Sequence, residues 1–376
     1  MACEEYSDEP TNILSEYFQN ICMSLLNVTT REDWDVDNLR LAAYETIMVV
    51  VENSAQDMSG TVVELLNDAL SRLENTFATR EDIAEKLQLQ SCICALIAQC
   101  IQKLSKEEIS PCCDRIITLT LQVFTTKGAV AHEDAFNMVS KFAEKIGSEF
   151  NRYMAHFAPC LITGLQNMEE YQVCTTAVCC VGDICRALTG GEILPYCDVI
   201  MESLLGLLQA QQLNRTVKPP ILASFADIAL SIGGDFEKYA TVVLNMLQQA
   251  GTVGSDGDDD EDLIEYVNSL RESILEAYTG ILHGLGDGQK LDVLVPFLEP
   301  VLAFMERCST DEHKTTEVVK NCIALLGDLG QFFGNKMNGI YGMPYVNQLV
   351  QEGLADPELN EITRWTCQMI ETCRRS

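Results

Sequence analysis

Apolar residues recur at steps of three and four along nearly the whole chain, and the alternating pattern of a strand is nearly absent. This spacing gathers the apolar side chains on one face of successive helices, so it predicts an all-α protein built from about eight antiparallel helix pairs. The predicted pairs are 10–27 with 36–53, 57–78 with 81–104, 107–126 with 131–146, 149–167 with 170–189, 192–210 with 217–232, 235–250 with 261–285, 290–308 with 313–333, and 337–354 with 358–374.

The sequence also repeats itself. The segment Lys145–Tyr153 returns 86 residues later as Ser231–Tyr239, and Cys180–Ile184 resembles Ser224–Ile228, 44 residues on. A period near 43 is typical of HEAT and armadillo repeats, in which each helix pair packs against its neighbours. We therefore predict one HEAT-repeat superhelical solenoid over residues 1–376, with its function on long surfaces and not in a central pocket.

The chain is strongly acidic. It has 25 Lys and Arg residues against 56 Asp and Glu residues, a formal net charge of −31. Such a protein repels phosphate groups, which argues against nucleic acid as a ligand. Long-range attraction favours a basic partner, although a generic acidic cytoplasmic protein would have the same composition.

Most of the 17 cysteines lie inside apolar helical stretches, as in Cys92–Cys94 and Cys179–Cys180. Free cysteine packs as a small apolar residue, so we predict buried thiols in a reducing compartment. The first ten residues are acidic and lack the apolar run of a secretory signal. Because no uncharged apolar run reaches the ~20 residues that a membrane helix needs, we predict no membrane insertion.

The sequence gives little support to an enzyme. The four histidines lack the spacing of a metal site, and neither a phosphate-binding glycine loop nor a nucleophile elbow is present. If a calcium loop began at Asp256 in the acidic stretch Gly251–Asp262, Glu261 would stand where the loop needs Gly and Val267 where it needs Glu. We predict a solvated loop there, and no catalytic residue, metal or cofactor in the chain.

The predicted helix 261–285 carries acidic residues on one side. Glu265, Ser269, Glu272 and Glu276 follow at i, i+4, i+7 and i+11, which places three carboxylates on one solvent face. These like charges repel one another, and a basic helix lying across them would turn the repulsion into attraction. An ordinary solvated helix face would look the same. The predicted buried stripe of this helix is Leu263, Val267, Leu270, Ile274 and Ile281.

Similar acidic positions occur on other second helices. They are Glu45 with Glu52, Glu170 with Asp183, and Glu317 with Asp328. Stacked pairs align their second helices on the concave side of a solenoid, so these faces would form one acidic inner channel.

The last predicted helix combines acids with a tryptophan. Glu358, Glu361 and Trp365 follow at i, i+3 and i+7. An exposed indole next to carboxylates suits a Lys or Arg side chain, because the ring face takes the stem or the cation. A tryptophan that closes the end of the apolar core would fit the same pattern.

The first helices present a different kind of surface. Ile193–Cys197 and the segment 346–354 place apolar groups near helix starts. Shallow grooves between neighbouring first helices would accommodate a Phe from a partner, although most such residues are core residues.

Several runs of the sequence closely resemble the importin β family of nuclear import receptors, in its C-terminal half. The resemblance covers nearly the whole chain. The runs are Gly147–Phe150, Tyr171–Cys174, Val181–Leu188, Val217–Pro219, Ala226–Leu230, Leu270–Ser273 and Glu276–Ile281, with Trp365 near the end.

The resemblance implies a HEAT-repeat superhelix that transports proteins through the nuclear pore, between cytoplasm and nucleus. It implies that this half wraps the basic importin-β-binding helix of the adaptor importin α, and that its outer helices bind Phe-Gly nucleoporins. The family chain is longer than this one, and its N-terminal half, which carries the principal site for the GTPase Ran, is expected to be absent here.

The resemblance also suggests site residues. Trp365, Glu272 and Glu276 correspond by position to adaptor-binding residues, and Glu265 and Glu361 join them on spacing. Tyr196 stands where the family tends to have a Phe of the nucleoporin site. The alternative function is a HEAT-repeat scaffold that assembles other partners through its apolar outer grooves and needs no basic ligand.

Overall fold

The structure, a computed structural model, describes residues 9–34, 36–78, 83–126, 130–254 and 260–375, among which there is no strand. The α-helices of these residues are α1 Phe18–Val28, α2 Leu39–Glu52, α3 Ser59–Ala78, α4 Ile83–Lys103, α5 Lys106–Ile109, α6 Cys113–Thr125, α7 Val130–Ile146, α8 Asn151–Leu165, α9 Tyr171–Ala187, α10 Leu194–Gln209, α11 Lys218–Ile232, α12 Glu237–Ala250, α13 Glu261–Asp287, α14 Leu298–Thr310, α15 Thr316–Phe333, α16 Pro344–Ala355 and α17 Asn360–Arg375.

Apart from the four-residue α5, the described helices form eight successive pairs, which confirms the predicted architecture. The chain divides into two compact units, Met1–Ala187 and Leu188–Ser376, with four pairs in each. The predicted bounds agree with the observed ones to within a few residues for most helices. α17 begins at Asn360 and not directly after Pro357, because the side chain of Asp356 accepts the Glu358 N–H at 2.9 Å and holds a turn there.

The sequence repeat marks the passage from one pair to the next. Gly147 and Gly233 have φ angles of +61° and +56°, a region that favours glycine, and each opens a short 3₁₀ turn. Three residues later Phe150 and Phe236 are completely buried. The repeated sequence therefore encodes a reversal of direction followed by an aromatic anchor in the core.

The same motif ties neighbouring first helices together. The Tyr153 hydroxyl donates to Oδ1 of Asp114, which links α8 to α6, and the Tyr239 hydroxyl donates to Oδ1 of Asp198, which links α12 to α10. Both distances are 2.6 Å. A carboxylate acceptor makes these hydrogen bonds stronger than neutral ones, so the two tyrosines fix the spacing of the first helices within each unit.

Hydrogen bonds between successive pairs repeatedly join residues 43 positions apart. Examples are Lys145 to Gln102, Ser231 to Leu188, Thr315 to Glu272, Thr366 to Ile323 and Cys373 to Gly330, with donor–acceptor distances of 2.6 to 3.3 Å. The chemical groups differ from one example to the next, but the separation along the chain is constant. The period read from the sequence is therefore also the period of the packing, as expected for stacked repeats.

The described cysteines are all free thiols, as predicted. Cys179 is exposed, Cys160 and Cys367 are half-buried, and the rest are buried in the core. Burial raises the pKa of Cys22 and Cys174 to about 11, so these thiols stay protonated at neutral pH and pack as apolar groups. No helix in the described ranges has the length and apolarity needed to cross a bilayer.

Candidate partner-binding surface

The helix α13 combines a broad apolar face with an acidic one. Asp260 caps its N-terminus by accepting the Asp262 N–H at 3.1 Å. Four of the five residues predicted for the buried stripe are buried, namely Val267, Leu270, Ile274 and Ile281. Leu263 is only half-buried, because it lies in the first turn, where fewer residues cover the helix.

The opposite side of α13 carries the predicted carboxylates. Glu265 and Glu276 are exposed, and Ser269 and Glu272 are half-buried. We call these four residues the α13 face. Oε1 of Glu272 accepts a hydrogen bond from the Thr315 hydroxyl at 2.6 Å. Thr315 is the N-cap residue of α15, so Glu272 is held in place while Glu265 and Glu276 project into solvent.

Two further residues of α13 hold the turn that precedes α15. Nη2 of Arg271 lies 2.7 Å from Oδ2 of Asp311, and the Asn268 side-chain amide donates to the His313 carbonyl at 2.8 Å. Arg271 is buried. Burial of Asp311 opposes its ionisation, but the hydrogen bond and charge of Arg271 outweigh it and hold the pKa of Asp311 below its usual value. The Arg271–Asp311 ion pair holds the turn before α15 in place, and with it the contact between Thr315 and Glu272.

We expect Asp311→Asn to lower the free energy of unfolding by about 2 kcal/mol at pH 7, because the Arg271 charge loses its partner in a buried place. Because the pKa of Asp311 is lowered in the folded state, its ionised carboxylate stabilises the fold at any pH above its ordinary pKa of 3.8. This stabilisation is lost as the pH falls below that value. The difference between variant and parent should therefore shrink below about pH 4. Urea unfolding of both proteins at several pH values measures this difference in the free energy of unfolding.

The control for this prediction is Asp292→Asn, which neutralises an exposed carboxylate in the same unit. It should change the free energy of unfolding by less than about 0.5 kcal/mol at any pH. A pH-independent effect of Asp311→Asn would contradict the ion-pair explanation.

The helix α15 does not continue the acidic surface as predicted. Glu317 is exposed, but its carboxylate lies 3.0 Å from Nζ of Lys320. Asp328 was expected on the polar side and is instead buried, with Oδ1 3.0 Å from Nε2 of His283. Burial raises the pKa of Asp328, and His283 opposes that shift. The spacing along one helix could not show that His283 of α13 covers this carboxylate.

Trp365 packs in the seam between α17 and α15. Its indole lies directly over Gly327, where a β-carbon would overlap the ring. The residue is nevertheless half-buried and not fully covered. Trp365 therefore contributes to the apolar core, as expected of a tryptophan that closes its end. It also remains partly exposed, as a contact with a Lys or Arg side chain requires.

Basic side chains accompany the acids of α17. Glu361 is exposed in the first turn, and Arg364, Arg374 and Arg375 are exposed along the same helix. The structure thus places Glu265, Glu272 and Glu276 together on α13, and Trp365 and Glu361 on α17, with α15 between the two helices. The acidic character is concentrated on α13 and does not run evenly across the unit.

In the unit Met1–Ala187, some of the predicted acidic positions are exposed and one is paired with an arginine. Glu45 and Glu52 on α2 and Glu170 before α9 are exposed. Asp183 is half-buried, and its Oδ1 lies 2.5 Å from Nη2 of Arg186.

Tyr196, the residue predicted for the outer surface, is half-buried in the first turn of α10. The structure adds two neighbours that the sequence analysis missed. Val199 on α10 and Val242 on α12 are 51% and 47% exposed, large values for apolar side chains. They lie 43 positions apart, so the repeat period could have identified them as equivalent positions on neighbouring first helices.

The acidic loop predicted at Gly251–Asp262 lies partly outside the described residues, which omit 255–259. Among the described residues no group of three or more His, Cys, Asp and Glu side chains has the arrangement of a metal site. His283 lies edge-on to Phe332, with ring centroids 5.1 Å apart, and is a half-buried side chain that packs against α15.

This fold defines a helical-repeat protein with long helix faces exposed to solvent. A sequence model of the family described as importin subunit beta-1-like, TPR repeats, matches residues 2–354. The chain therefore belongs to the importin subunit beta-1 family, as the resemblance of its sequence runs predicted.

Individual relatives agree with this assignment. Importin subunit beta-1 of Arabidopsis thaliana is 40% identical over 363 residues, which cover 94% of this chain and 40% of that protein. A crystal structure of importin beta in a polyethylene glycol condition has a TM-score of 0.92 and 32% identity, and the match covers 99% of this chain and 46% of the other. A Kap95:Nup1 complex, at 23% identity and a TM-score of 0.84, shows the same fold. The chain spans less than half the length of these proteins.

Proposed function

We propose that this chain acts in nuclear protein import, and that its α13 face binds the basic importin-β-binding helix of the adaptor importin α. The observation that carries the proposal is the α13 face itself. Three carboxylates lie on one side of a well-packed helix, two of them exposed and one fixed by the cap of α15. A cationic helix lying across them relieves their mutual repulsion and gains charge-assisted hydrogen bonds.

The half-buried Glu272 and the exposed Glu265 and Glu276 have different roles in this proposal. Glu272 is already oriented by Thr315, so it presents its second carboxylate oxygen at low entropic cost. Glu265 and Glu276 act mainly through charge and through the rate of association. Trp365 and Glu361 extend the contact to α17, where the accessible part of the indole receives the stem of a Lys or Arg.

We infer a second partner for the outer surface. Tyr196, Val199 and Val242 place an aromatic and two exposed apolar groups on neighbouring first helices, and this suits the Phe side chains of Phe-Gly nucleoporins. The solved Kap95:Nup1 complex concerns a protein with the same fold bound to a nucleoporin. With both partners, the chain would pass between cytoplasm and nucleus through the pore. The proposed role is binding and transport, without catalysis.

The test is a titration of the chain with a fluorescently labelled basic amphipathic helix at two salt concentrations. The Debye length is about 10 Å at 0.1 M salt and about 3 Å at 1 M, so attraction between exposed charges is largely screened at the higher value. We expect affinity to fall by at least tenfold between about 0.05 M and 0.5 M salt. Fluorescence anisotropy measures it.

A Phe-Gly peptide serves as the internal control for this titration. Its contact is apolar, so its affinity should change little with salt. Equal affinity of the basic helix at both salt concentrations would overturn the acidic-face mechanism. If only the Phe-Gly peptide binds, the alternative of a scaffold that uses its outer grooves is favoured.

A further inference from the structure

A largely apolar cavity lies at one edge of the unit Leu188–Ser376, where the pair α10–α11 meets the pair α12–α13. Its volume is about 470 Å³, within the ~300–1,000 Å³ that ligand sites typically have. The ends of α10 and α12 and the starts of α11 and α13 border it. Its apolar wall includes Leu208, Leu222, Met246 and Leu270. A space of this size and lining can hold one apolar side chain together with the backbone that carries it.

Of the described residues that line this cavity, only Lys218 carries a charge. Lys218 is the first residue of α11 and is half-buried. Its ammonium group forms no ion pair or hydrogen bond with any described residue. Asp262 and Glu265, close to the lining residue Tyr266 along α13, are exposed and do not line the cavity. A partly desolvated cation without a counter-charge is unfavourable, and a bound carboxylate would supply that counter-charge.

Neutral hydrogen-bonding groups and a second cation accompany Lys218. Gln209 at the end of α10 and Gln249 near the end of α12 line the cavity, and their exposed side-chain amides have no described partner. The guanidinium of Arg215 lies 5.3 Å from the ring centroid of Tyr266 and likewise has no ion pair among the described residues. Two cations without a described counter-charge therefore lie at or beside the cavity, together with amide donors that can hydrogen-bond an anion.

We propose that this cavity binds the C-terminal end of a partner polypeptide whose last residue is apolar. The terminal carboxylate pairs with Lys218 and accepts a hydrogen bond from the amide of Gln209 or Gln249, and the last side chain packs against Leu222 and Leu270. A peptide terminus combines one negative charge with one apolar group within a single residue. This combination matches a lining with one lysine and an apolar wall.

Two other carboxylate ligands fit less well. The chain of a fatty acid would cover Gln209 and Gln249 without offering them hydrogen bonds, whereas a peptide brings its own backbone N–H and C=O groups. A segment with several acidic residues would be repelled by the exposed Asp262 and Glu265 on α13. A peptide whose only charge is its terminal carboxylate avoids both costs.

The test compares two forms of one neutral hexapeptide, Ser-Gly-Ser-Gly-Ser-Leu, with an uncharged dye on its N-terminus. One form has a free C-terminal carboxylate and the other a C-terminal amide. The full chain is titrated into each at about 0.15 M salt, where charges more than about 8 Å apart are largely screened. We expect saturable binding of the free acid, measured by fluorescence anisotropy, and at least tenfold weaker binding of the amide.

Replacing the lysine isolates its contact with the carboxylate. Lys218→Met keeps an unbranched side chain and removes the charge, so it should weaken binding of the free acid at least tenfold and leave binding of the amide unchanged. Because the ammonium group has no described partner to lose, the midpoint of thermal unfolding should not fall. Lys336→Met makes the same change at an exposed lysine of the same unit that does not line the cavity, and should leave both affinities unchanged.

A second pair of variants keeps the test valid if Lys218→Met does not fold, as judged by circular dichroism. Gln249 and Gln248 are adjacent and both exposed, but only Gln249 lines the cavity. Gln249→Glu places a negative charge beside the bound carboxylate and should weaken binding of the free acid at least fivefold. Gln248→Glu changes the net charge equally and should leave that affinity unchanged within twofold.

Several results would overturn the proposal. They are no saturable binding of the free acid, equal affinity for the acid and the amide, equal losses in the two glutamine variants, and calorimetric binding of octanoate by a protein that does not bind the peptide. Equal affinity for an amidated peptide with an internal Glu would also overturn it, since any carboxylate would then suffice. Binding of the basic helix to the α13 face is measured separately, and its success or failure does not affect this test.

Discussion

We expect Gly284→Ala to be among the most destabilising single substitutions in the unit Leu188–Ser376. Gly284 of α13 faces Ala229 of α11 so closely that a β-carbon would overlap the Ala229 carbonyl oxygen and lie 2.7 Å from the carbonyl carbon. These are backbone atoms, which cannot rotate away. The helices must separate, and we expect a loss of about 3 kcal/mol or more in the free energy of unfolding.

The glycine contacts on either side reinforce this expectation. A β-carbon on Gly280 would lie 2.9 Å from the Ala226 carbonyl oxygen, and Gly288 touches the backbone of Gly234. Gly280, Gly284 and Gly288 recur at every fourth position, so one helix pair rests on the next along a line of backbone contacts. Spreading the helices at Gly284 would therefore disturb the packing on both sides of it.

Gly206→Ala is the matched control, because it makes the same chemical change in a helix of the same unit. A β-carbon at Gly206 would meet no atom within 4 Å, and the residue lies inside α10. Alanine favours a helix over glycine, so this variant should gain about 0.5–1 kcal/mol. Thermal unfolding followed by circular dichroism measures both, and Gly284→Ala should lower the midpoint by about 10 °C. Equal and small shifts in the two variants would show that the α11–α13 contact is not tight.

The helices were predictable because their signals are local and repeated. The 3.6-residue period of apolar positions and the recurrence near 43 residues define eight pairs, and glycines such as Gly233 end the second helices at positive φ. Each of these features depends on a few adjacent residues. Hence the order and approximate bounds of the helices follow from the sequence alone.

The candidate site was predictable only in part, because its details depend on contacts between helices. Periodicity identified the acidic side of α13, and the structure retains it. It could not show that Thr315 fixes Glu272 or that His283 buries Asp328, since these partners are 43 and 45 residues away. It also could not separate the glycines that meet a neighbouring backbone, such as Gly284, from one that meets nothing, such as Gly206.

The three carboxylates of the α13 face differ in how well they serve as positions for charge reversal. Within the α13 face, Glu272 accepts a hydrogen bond from the Thr315 hydroxyl at the start of α15. Reversing Glu272 would therefore disturb the cap of α15 as well as the surface charge. The exposed Glu265 and Glu276 are the better positions for reversal, and Glu272→Gln keeps an acceptor for Thr315 while removing the charge.

We expect Glu265→Lys with Glu276→Lys to weaken binding of the basic adaptor helix by about 100-fold at low salt, because two attractive contacts become repulsive ones. Adding Glu272→Gln should weaken it further. The matched control is Glu202→Lys with Glu299→Lys, which changes the net charge equally but alters exposed positions on the first helices α10 and α14. Anisotropy titrations at low and high salt compare the variants.

The pattern of losses distinguishes the mechanisms. If binding depends on the α13 face, the control pair loses only the small part of the affinity that comes from long-range attraction, and its association rate falls more than its dissociation rate rises. An equal loss in both pairs means that net charge alone attracts the helix and that no particular face receives it. Unchanged binding in both pairs removes the acidic face from the mechanism, because a cationic helix lying on Glu265 and Glu276 could not tolerate two lysines in their place.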